Sequence, residues 1–564
     1  MAQSHEGLTN AELKLRPEPE KVPRFHGGSR GSDGGSVPLL AACGSGESGG
    51  GGEGRSTEED LKSILPTYRQ SDTAIDPDIP SENGSSPGYT TFIPTAELGV
   101  SVPTPKGNGG TFTAMTPLWG TPPRAGNEYW TAMDEAIGVK MNWQTQDGNT
   151  YGEKLGAVLA GNDIPDLVCV PGWELGGQIP QAISSRFADL GEYLSGDKVL
   201  DYPNLAAIPT AAWQASVFGG ALRGLPMPYA PIGGVIPFYR QDVFEENGWS
   251  PPTDPQGFID FAKDVTSAKN RVWACEDMKW SSFVIHGVLP EKPNYFAMVD
   301  GKLVNRYETD AFLEALEWTR KLYDAGVVHP DAVAVQGDSK NRFTAGESLM
   351  FNDGDGTWHN LVAEQQSANP DFRMNAFDFF GADGDPVLWR ANGAGMWTFV
   401  NKTLSPDRIR EALEIANFCA APYGTIEQRM RGYGVEDVHY TIENGVQVRT
   451  PLGEEQVAPE TYVFICSPGS FVAYPDTPQM VEDLTSWQKR MLPFAQEPLF
   501  FGRQVQEPDR FANLADRFEA LEDDVVRGNQ SLSDMQDAVA EWRRNGGDQL
   551  RDWYQELLDS EASA

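Results

Sequence analysis

Cysteine is scarce: five residues in 564, too few to staple a chain of this size, which excludes a disulfide-built scaffold. Histidine is as rare, with six scattered copies, and no Cys or His group has the spacing of a zinc site. Long apolar runs are missing, none reaching the roughly 18 residues that mark a transmembrane helix. Positive charge is outnumbered, 44 Lys and Arg against 81 Asp and Glu, for a net charge of −37. A field of that sign repels phosphate backbones and anionic membrane surfaces, so nucleic-acid binding is excluded. The acidity itself is read as a source of solubility. Catalytic signatures are absent as well: there is no nucleophile elbow, zinc helix or phosphate loop, and no internal repeat or heptad run.

What remains is a globular composition, 40% hydrophobic with fifteen tryptophans. The chain is longer than one hydrophobic core organises, so two lobes are expected. Residues 1–36 are polar and glycine-rich without apolar periodicity and are predicted to be disordered. Leu39-Leu40-Ala41-Ala42-Cys43, followed by a Gly/Ser tether, resembles a bacterial lipobox, with Cys43 as the lipidated residue. The apolar region of a signal peptide, roughly 7–15 residues, is reduced here to Val37–Ala42. Residues 1–36 are therefore read as a misassigned start or frame. From Gly44 to Gly110 the density of Pro, Gly and Ser predicts a long extended linker, with a short helix near Thr57–Leu65.

Ordered structure is predicted from Gly110 onward. A strand over Gly110–Thr116, a helix over Asn127–Ala136, a strand over Val139–Thr145, a helix over Tyr151–Ala160 and a buried strand ending at Val170 alternate in the manner of a parallel sheet with right-handed crossovers. Ligands bind such sheets at the carboxyl ends of the strands, which puts Trp119 and Trp173-Glu174 at one rim. The stretch Arg223–Thr253 organises the rest. Leu225–Pro231 carries three prolines and reads as an edge strand. Gly233-Gly234 is a flexible joint, Val235–Tyr239 an apolar strand, and Asp242–Gly248 a short helix with an Asn-Gly stop. Together they read as a hinge between lobes, with Tyr229 lining the cleft.

Beyond the hinge, a helix over Asp254–Thr266, a strand over Val272–Cys275, a loop over Glu276–Trp280, a hairpin at Asp300-Gly301, a helix over Asp310–Ala325 and a strand over Ser348–Asn352 form a second α/β unit. Leu388–Val400 is a glycine-bearing strand and Glu411–Ala420 a helix. Val435–Pro451 is hairpin-like, the stretch to Phe501 irregular, and the tail helical. Cys169 and Cys419 are expected to be buried thiols; Cys169, Cys275, Cys419 and Cys466 allow at most two bridges.

Taken in order, Pro165–Val168, Phe187–Leu194, Gly224-Leu225-Pro226, Phe238–Phe244, Pro251-Pro252-Thr253, Arg342–Glu347, Ala421–Glu427 and the tail from Gly528 to Tyr554 resemble the extracellular solute-binding proteins of ABC importers. The likeness is to the sugar- and oligosaccharide-binding group, which includes large lipoproteins. It implies an α/β fold of the two-lobe periplasmic-binding-protein type (type II), with ligand trapped between the lobes. Lobe 1 would comprise residues 111–235 and 386–420 and lobe 2 residues 237–385 and 421–564, after a leader and linker over 1–110. The chain would cross the hinge three times. The resemblance also places ligand-contacting aromatics on Trp173, Trp280 and Trp358. It implies permease subunits of an ABC transporter as partners, a lipid anchor as the only membrane contact, a monomer on the extracellular face, and no cofactor. Some relatives carry a calcium loop after the strand near Val272. Ala274–Met278 is too short for one, so no calcium is expected there.

A sugar presents apolar C–H faces and a rim of hydroxyls, which calls for flat aromatic rings together with carboxylates, amides or guanidinium groups. Trp119, Trp173, Trp280, Trp358 and Trp389 are the candidate rings. Tyr229, Glu174, Asp353, Asp355 and Arg390 are the candidate polar partners. Asp353-Gly354-Asp355-Gly356 opens like a calcium loop but has only Thr357 at its fifth position, and no metal site is assigned to it. The chain is read as a binding protein and not an enzyme. The competing reading is a secreted carbohydrate-active enzyme, since paired carboxylates hydrolyse glycosides.

Overall fold

The computed structural model describes residues 58–562 apart from 104–106, 120, 233, 292–294, 444, 506 and 512. Cys43 with its tether, and Gly233 of the hinge pair, lie outside the described residues. In chain order the two main sheets use β1 (Thr111–Leu118), β2 (Lys140–Asp147), β3 (Leu167–Pro171), β4 (Gly224–Pro228), β5 (Ile236–Tyr239), β6 (Trp273–Cys275), β7 (Ser348–Asp353), β8 (Asn375–Ala376) and β9 (Ala394–Val400). The helices that position them include α1 (Glu128–Ile137), α2 (Tyr151–Ala160), α3 (Lys279–Ile285), α4 (Asp310–Asp324), α5 (Gly356–Ala368) and α6 (Pro478–Met491).

The first sheet runs β2-β1-β3-β9-β4. β1 is parallel to both β2 and β3, as the strand–helix alternation requires, and β9 runs antiparallel to β3 and β4. α1 starts where the Asn127 side chain accepts the Trp130 N–H and stops where Gly138 takes the left-handed conformation, a cap at each end. β3 is buried along its whole length, consistent with an apolar run that lacks alternation. Proline-bearing β4 lies at the sheet edge, where a missing N–H breaks no ladder.

The second sheet runs β8-β5-β7-β6, with β7 parallel to β6 and antiparallel to β5. Buried Glu276, next to β6, receives Arg342 Nε and Nη2 at 2.8 and 2.6 Å and the Ser348 hydroxyl of β7. The tail helices Phe518–Val526 and Leu532–Trp542 pack on α4, and Tyr307, in the turn before α4, stacks on Phe518 with centroids 3.9 Å apart. The sheets define two lobes. The chain passes from the first to the second between β4 and β5 and returns between β8 and β9.

Three expectations change. Residues 421–466 pack with the first lobe, since Val457, Tyr462, Ile465 and Cys466 belong to its core. The third crossing therefore follows residue 466, where Val472 joins the second core. The supposedly irregular stretch that follows contains the 14-residue α6. Its Pro478 stands in the first turn, where no N–H is needed, and Met480, Val481, Leu484, Trp487 and Met491 line its buried face.

The described part of the expected linker is packed, not free. Leu61 and Leu65 enter the first core, and Gly88-Tyr89 pairs in parallel with Val472-Ala473. The Ser86 N–H donates to Gln488 Oε1 of α6 at 2.8 Å, and Glu427 accepts the N–H groups of Ser101 and Val102. The segment is thus a strap that touches lobe 1, then lobe 2, then lobe 1 again. Proline keeps it extended, and several of its backbone donors meet neighbours, Thr67 the Gly196 carbonyl and Arg69 the Ala206 carbonyl among them. Cys169, Cys275, Cys419 and Cys466 are free and buried; burial pushes the Cys419 thiol up to about 12.

Candidate functional site

The carboxyl ends of the first lobe's parallel strands form one wall of a cleft. Trp119 follows β1 directly, and Trp173 with Glu174 lies in the tight turn after β3. That turn runs close to β9: a Cβ on Gly172 would come within 2.8 Å of the Gly395 carbonyl oxygen. The Trp119 indole lies over Gly148, where a Cβ would stand 2.2 Å from the ring. It meets Trp173 at a centroid distance of 6.1 Å and Phe464 edge-on at the same distance. Both rings stay open to solvent, Trp119 at 42% and Trp173 at 55% exposure. The Glu174 carboxylate touches Gly152 in the first turn of α2, the positive end of that helix. Partial burial raises its carboxyl, and no counter-ion acts on it among the described residues.

Tyr229 forms the floor. Its ring lies on Gly395, where a Cβ would fall 2.1 Å from Cδ2. Burial, then the negative fields of Asp355, Glu291 and Asp353, pushes its phenol up to about 12. A ring fixed on the first lobe's sheet is therefore within electrostatic reach of the second lobe's acids. Asp353 ends β7 and pairs with Lys340 at 3.1 Å. Asp355 caps α5 by accepting the Gly356 N–H at 2.9 Å, and burial raises its carboxyl too. Although open to water, Asp355 lines a crevice with Tyr229, Trp487 and Gln488. Trp280 stands beside the end of β7, because Ser281 next to it donates N–H and hydroxyl to Asn352 Oδ1. It lies in the first turn of α3, not in a loop, and is 38% exposed.

Trp358 is a correction. It is 0% exposed and packs on Phe238 in the second core, centroids 5.4 Å apart. The loop after β7 is only Gly354-Asp355, so α5 begins early and its first turn points Trp358 inward. Trp389 and Arg390 lie at the hinge. The Trp389 indole N–H donates to the Val288 carbonyl at 3.0 Å. The Arg390 backbone bridges to Ile232, while its guanidinium reaches toward Gly84 of the strap. Glu291, Phe464 and the glycines under Trp119 and Tyr229 escaped the sequence reading, because no local pattern marks them.

Two α/β lobes, joined by three crossings and lined along the cleft by strand ends and hinge residues, define a two-lobe ligand-binding protein. The chain belongs to the bacterial extracellular solute-binding proteins, whose family model matches residues 128–434. Among solved structures it is similar to the N-glycan transport solute binding protein NgtS of Streptococcus pneumoniae, solved with Man1GlcNAc. That match has 15% identity and a TM-score of 0.59, over 81% of this chain and 100% of that one. The alginate-binding protein AlgQ2 is 16% identical with a TM-score of 0.58, over 81% and 98%. The ABC substrate-binding protein Lmo0181 of Listeria monocytogenes, in complex with cycloalternan, is 16% identical with a TM-score of 0.53, over 78% and 100%. These likenesses establish the fold. Lipoprotein LipO of Bacillus subtilis is 20% identical over 324 residues, 55% of this chain, and the match spans 62% of LipO's own length.

Proposed function

We propose that this protein is the extracytoplasmic substrate-binding component of an ABC importer, capturing a sugar or oligosaccharide between its lobes and delivering it to the permease subunits. The observation that carries this reading is the pair of open indoles, Trp119 and Trp173, with Tyr229 on the floor and an acid-lined wall beyond. Flat rings match the apolar faces of a pyranose, and carboxylates accept hydrogen bonds from its hydroxyls. The similar structures are of proteins bound to an N-glycan fragment and to cycloalternan and of an alginate-binding protein, all carbohydrates of the same class.

A ligand that touches both walls shifts an open–closed equilibrium toward closure, and the closed form docks on the permease. Micromolar affinity corresponds to about −8 kcal/mol, within reach of a few stacked rings and charged hydrogen bonds. Cys43 carries the anchor at the outer face of the membrane. A diacylglycerol supplies the second chain that stable anchoring needs, and the relative LipO is named a lipoprotein.

A thermal-shift screen over plant and microbial oligosaccharides, with product analysis, tests the proposal. Stabilisation by a glycan without turnover is expected. Stabilisation only by peptides or amino acids would overturn the carbohydrate assignment, and turnover would establish the enzyme reading in its place. Mass spectrometry of the mature chain should find it beginning at a lipidated Cys43; a free thiol there on a chain with an earlier start rules out the anchor.

A further inference from the structure

We infer that the strap is a fourth connection between the lobes, a brace that narrows the range of hinge angles, and that the Asp78 carboxylate locks it. The inference concerns the hinge and holds whatever the cleft binds.

The strap is seated against two of the crossings. The hydroxyls of Ser86 and of Ser470, in the third crossing, lie 2.9 Å apart. A Cβ on Gly84 would stand 3.6 Å from Nη1 of Arg390, in the second. On the lobe 2 side, the Gln488 bond to Ser86 is joined by Glu82, whose carboxylate meets Lys489 Nζ at 2.9 Å, and by Ile79, which packs on the second core. On the lobe 1 side, the Tyr423 hydroxyl donates to the Thr91 carbonyl at 3.0 Å, and its ring lies 4.5 Å from that of Tyr89. The Arg429 guanidinium donates to the Ile93 carbonyl at 2.8 Å.

The two sets of attachments nearly touch along the chain. Tyr89 pairs with Ala473 of lobe 2, and Thr91, two residues on, is bonded to lobe 1. Two residues of extended chain reach about 7 Å at most, so a motion that separates the two attachments beyond that reach must break one of them. Asp78 stiffens this short link. Its Oδ2 accepts the N–H groups of Thr90 and Thr91 at 2.8 and 2.9 Å, and its Oδ1 accepts the Thr91 hydroxyl at 2.9 Å. Bonds to an ionised acceptor are about twice as strong as neutral ones. Asp78 is itself exposed, so these bonds serve the strap and not a core. A narrowed range of lobe angles leaves less freedom to be lost when the lobes close on a ligand, which is preorganisation.

The test is the interlobe distance distribution from double electron–electron resonance on the full chain. Spin labels go on Lys154→Cys in lobe 1 and Glu317→Cys in lobe 2, both exposed positions. Cys43→Ser leaves only the four buried native thiols. The braced protein should give a narrow distribution. Asp78→Ala and, independently, Tyr423→Phe should at least double its width, in chains whose circular dichroism matches that of the parent. Unchanged widths in both variants overturn the brace, and broadening confined to Tyr423→Phe overturns the lock at Asp78.

Discussion

Trp358→Ala separates the two roles a tryptophan can play in this fold. The Trp358 side chain is fully buried between α5 and the second sheet, against Phe238. Its indole N–H has no hydrogen-bond partner, so truncation forfeits no polar contact and the whole effect is lost apolar burial plus the cavity left behind. Emptying a site of this size costs about 3–5 kcal/mol. For a lobe of this scale that corresponds to a melting shift of roughly 6–20 °C. Trp173→Ala removes a ring that is 55% exposed and should change stability by at most about 0.5 kcal/mol, while weakening glycan binding. Urea unfolding followed by circular dichroism, paired with titration of the folded proteins, reads both quantities. Folded Trp358→Ala should bind nearly as the parent does. The reasoning fails if Trp358→Ala keeps its stability and loses affinity, because that pattern belongs to a cleft residue.

Three further outcomes follow from the same geometry. Gly395→Ala puts a methyl 2.1 Å from the Tyr229 ring and should displace that ring, at an overpacking cost of about 1–3 kcal/mol; unchanged ligand affinity by calorimetry would show that Tyr229 is not the floor. Asp355→Asn should raise the melting temperature at neutral pH while weakening ligand binding. The Asp355 carboxyl is raised above its unfolded value, so its favourable contribution is complete below the unfolded pKa of about 3.9 and is lost as pH rises through the folded pKa. Asparagine keeps the cap on Gly356 and removes the carboxylate charge, so the two melting curves should converge on acidification; a neutral-pH loss of stability contradicts this. Gln488→Ala strands the buried Ser86 N–H, at about 1–3 kcal/mol, and should make the strap between Ile79 and Tyr89 the first site of limited proteolysis. Equal protease resistance in parent and variant would mean that this bond does not hold the strap.

What the sequence determined by itself was the local architecture. The alternation that yields β1, α1, β2, α2 and β3 is written in periodicities of 2 and 3.6 residues, and the prolines of β4 announce an edge because a missing donor is tolerated only there. The strand-end rule set Trp119 after β1 and Trp173-Glu174 after β3, and the proline–glycine stretch set Tyr229 after β4, which is where the structure has them. Tertiary structure decided the rest. Trp358 and Trp280 both stand near the carboxyl ends of strands, yet the residue at which a helix begins turns one ring into the core and leaves the other at the surface. An extended Pro-rich segment has the same local pattern whether it is free or packed, so only partners such as Gln488 and Glu427, hundreds of residues away, make residues 58–103 a strap. The pairing of the acids was equally hidden. Which of 81 acids stays uncompensated depends on pairings such as Asp353 with Lys340, and those are set by where the folded chain brings each cation, because ion pairing acts through space and not along the sequence.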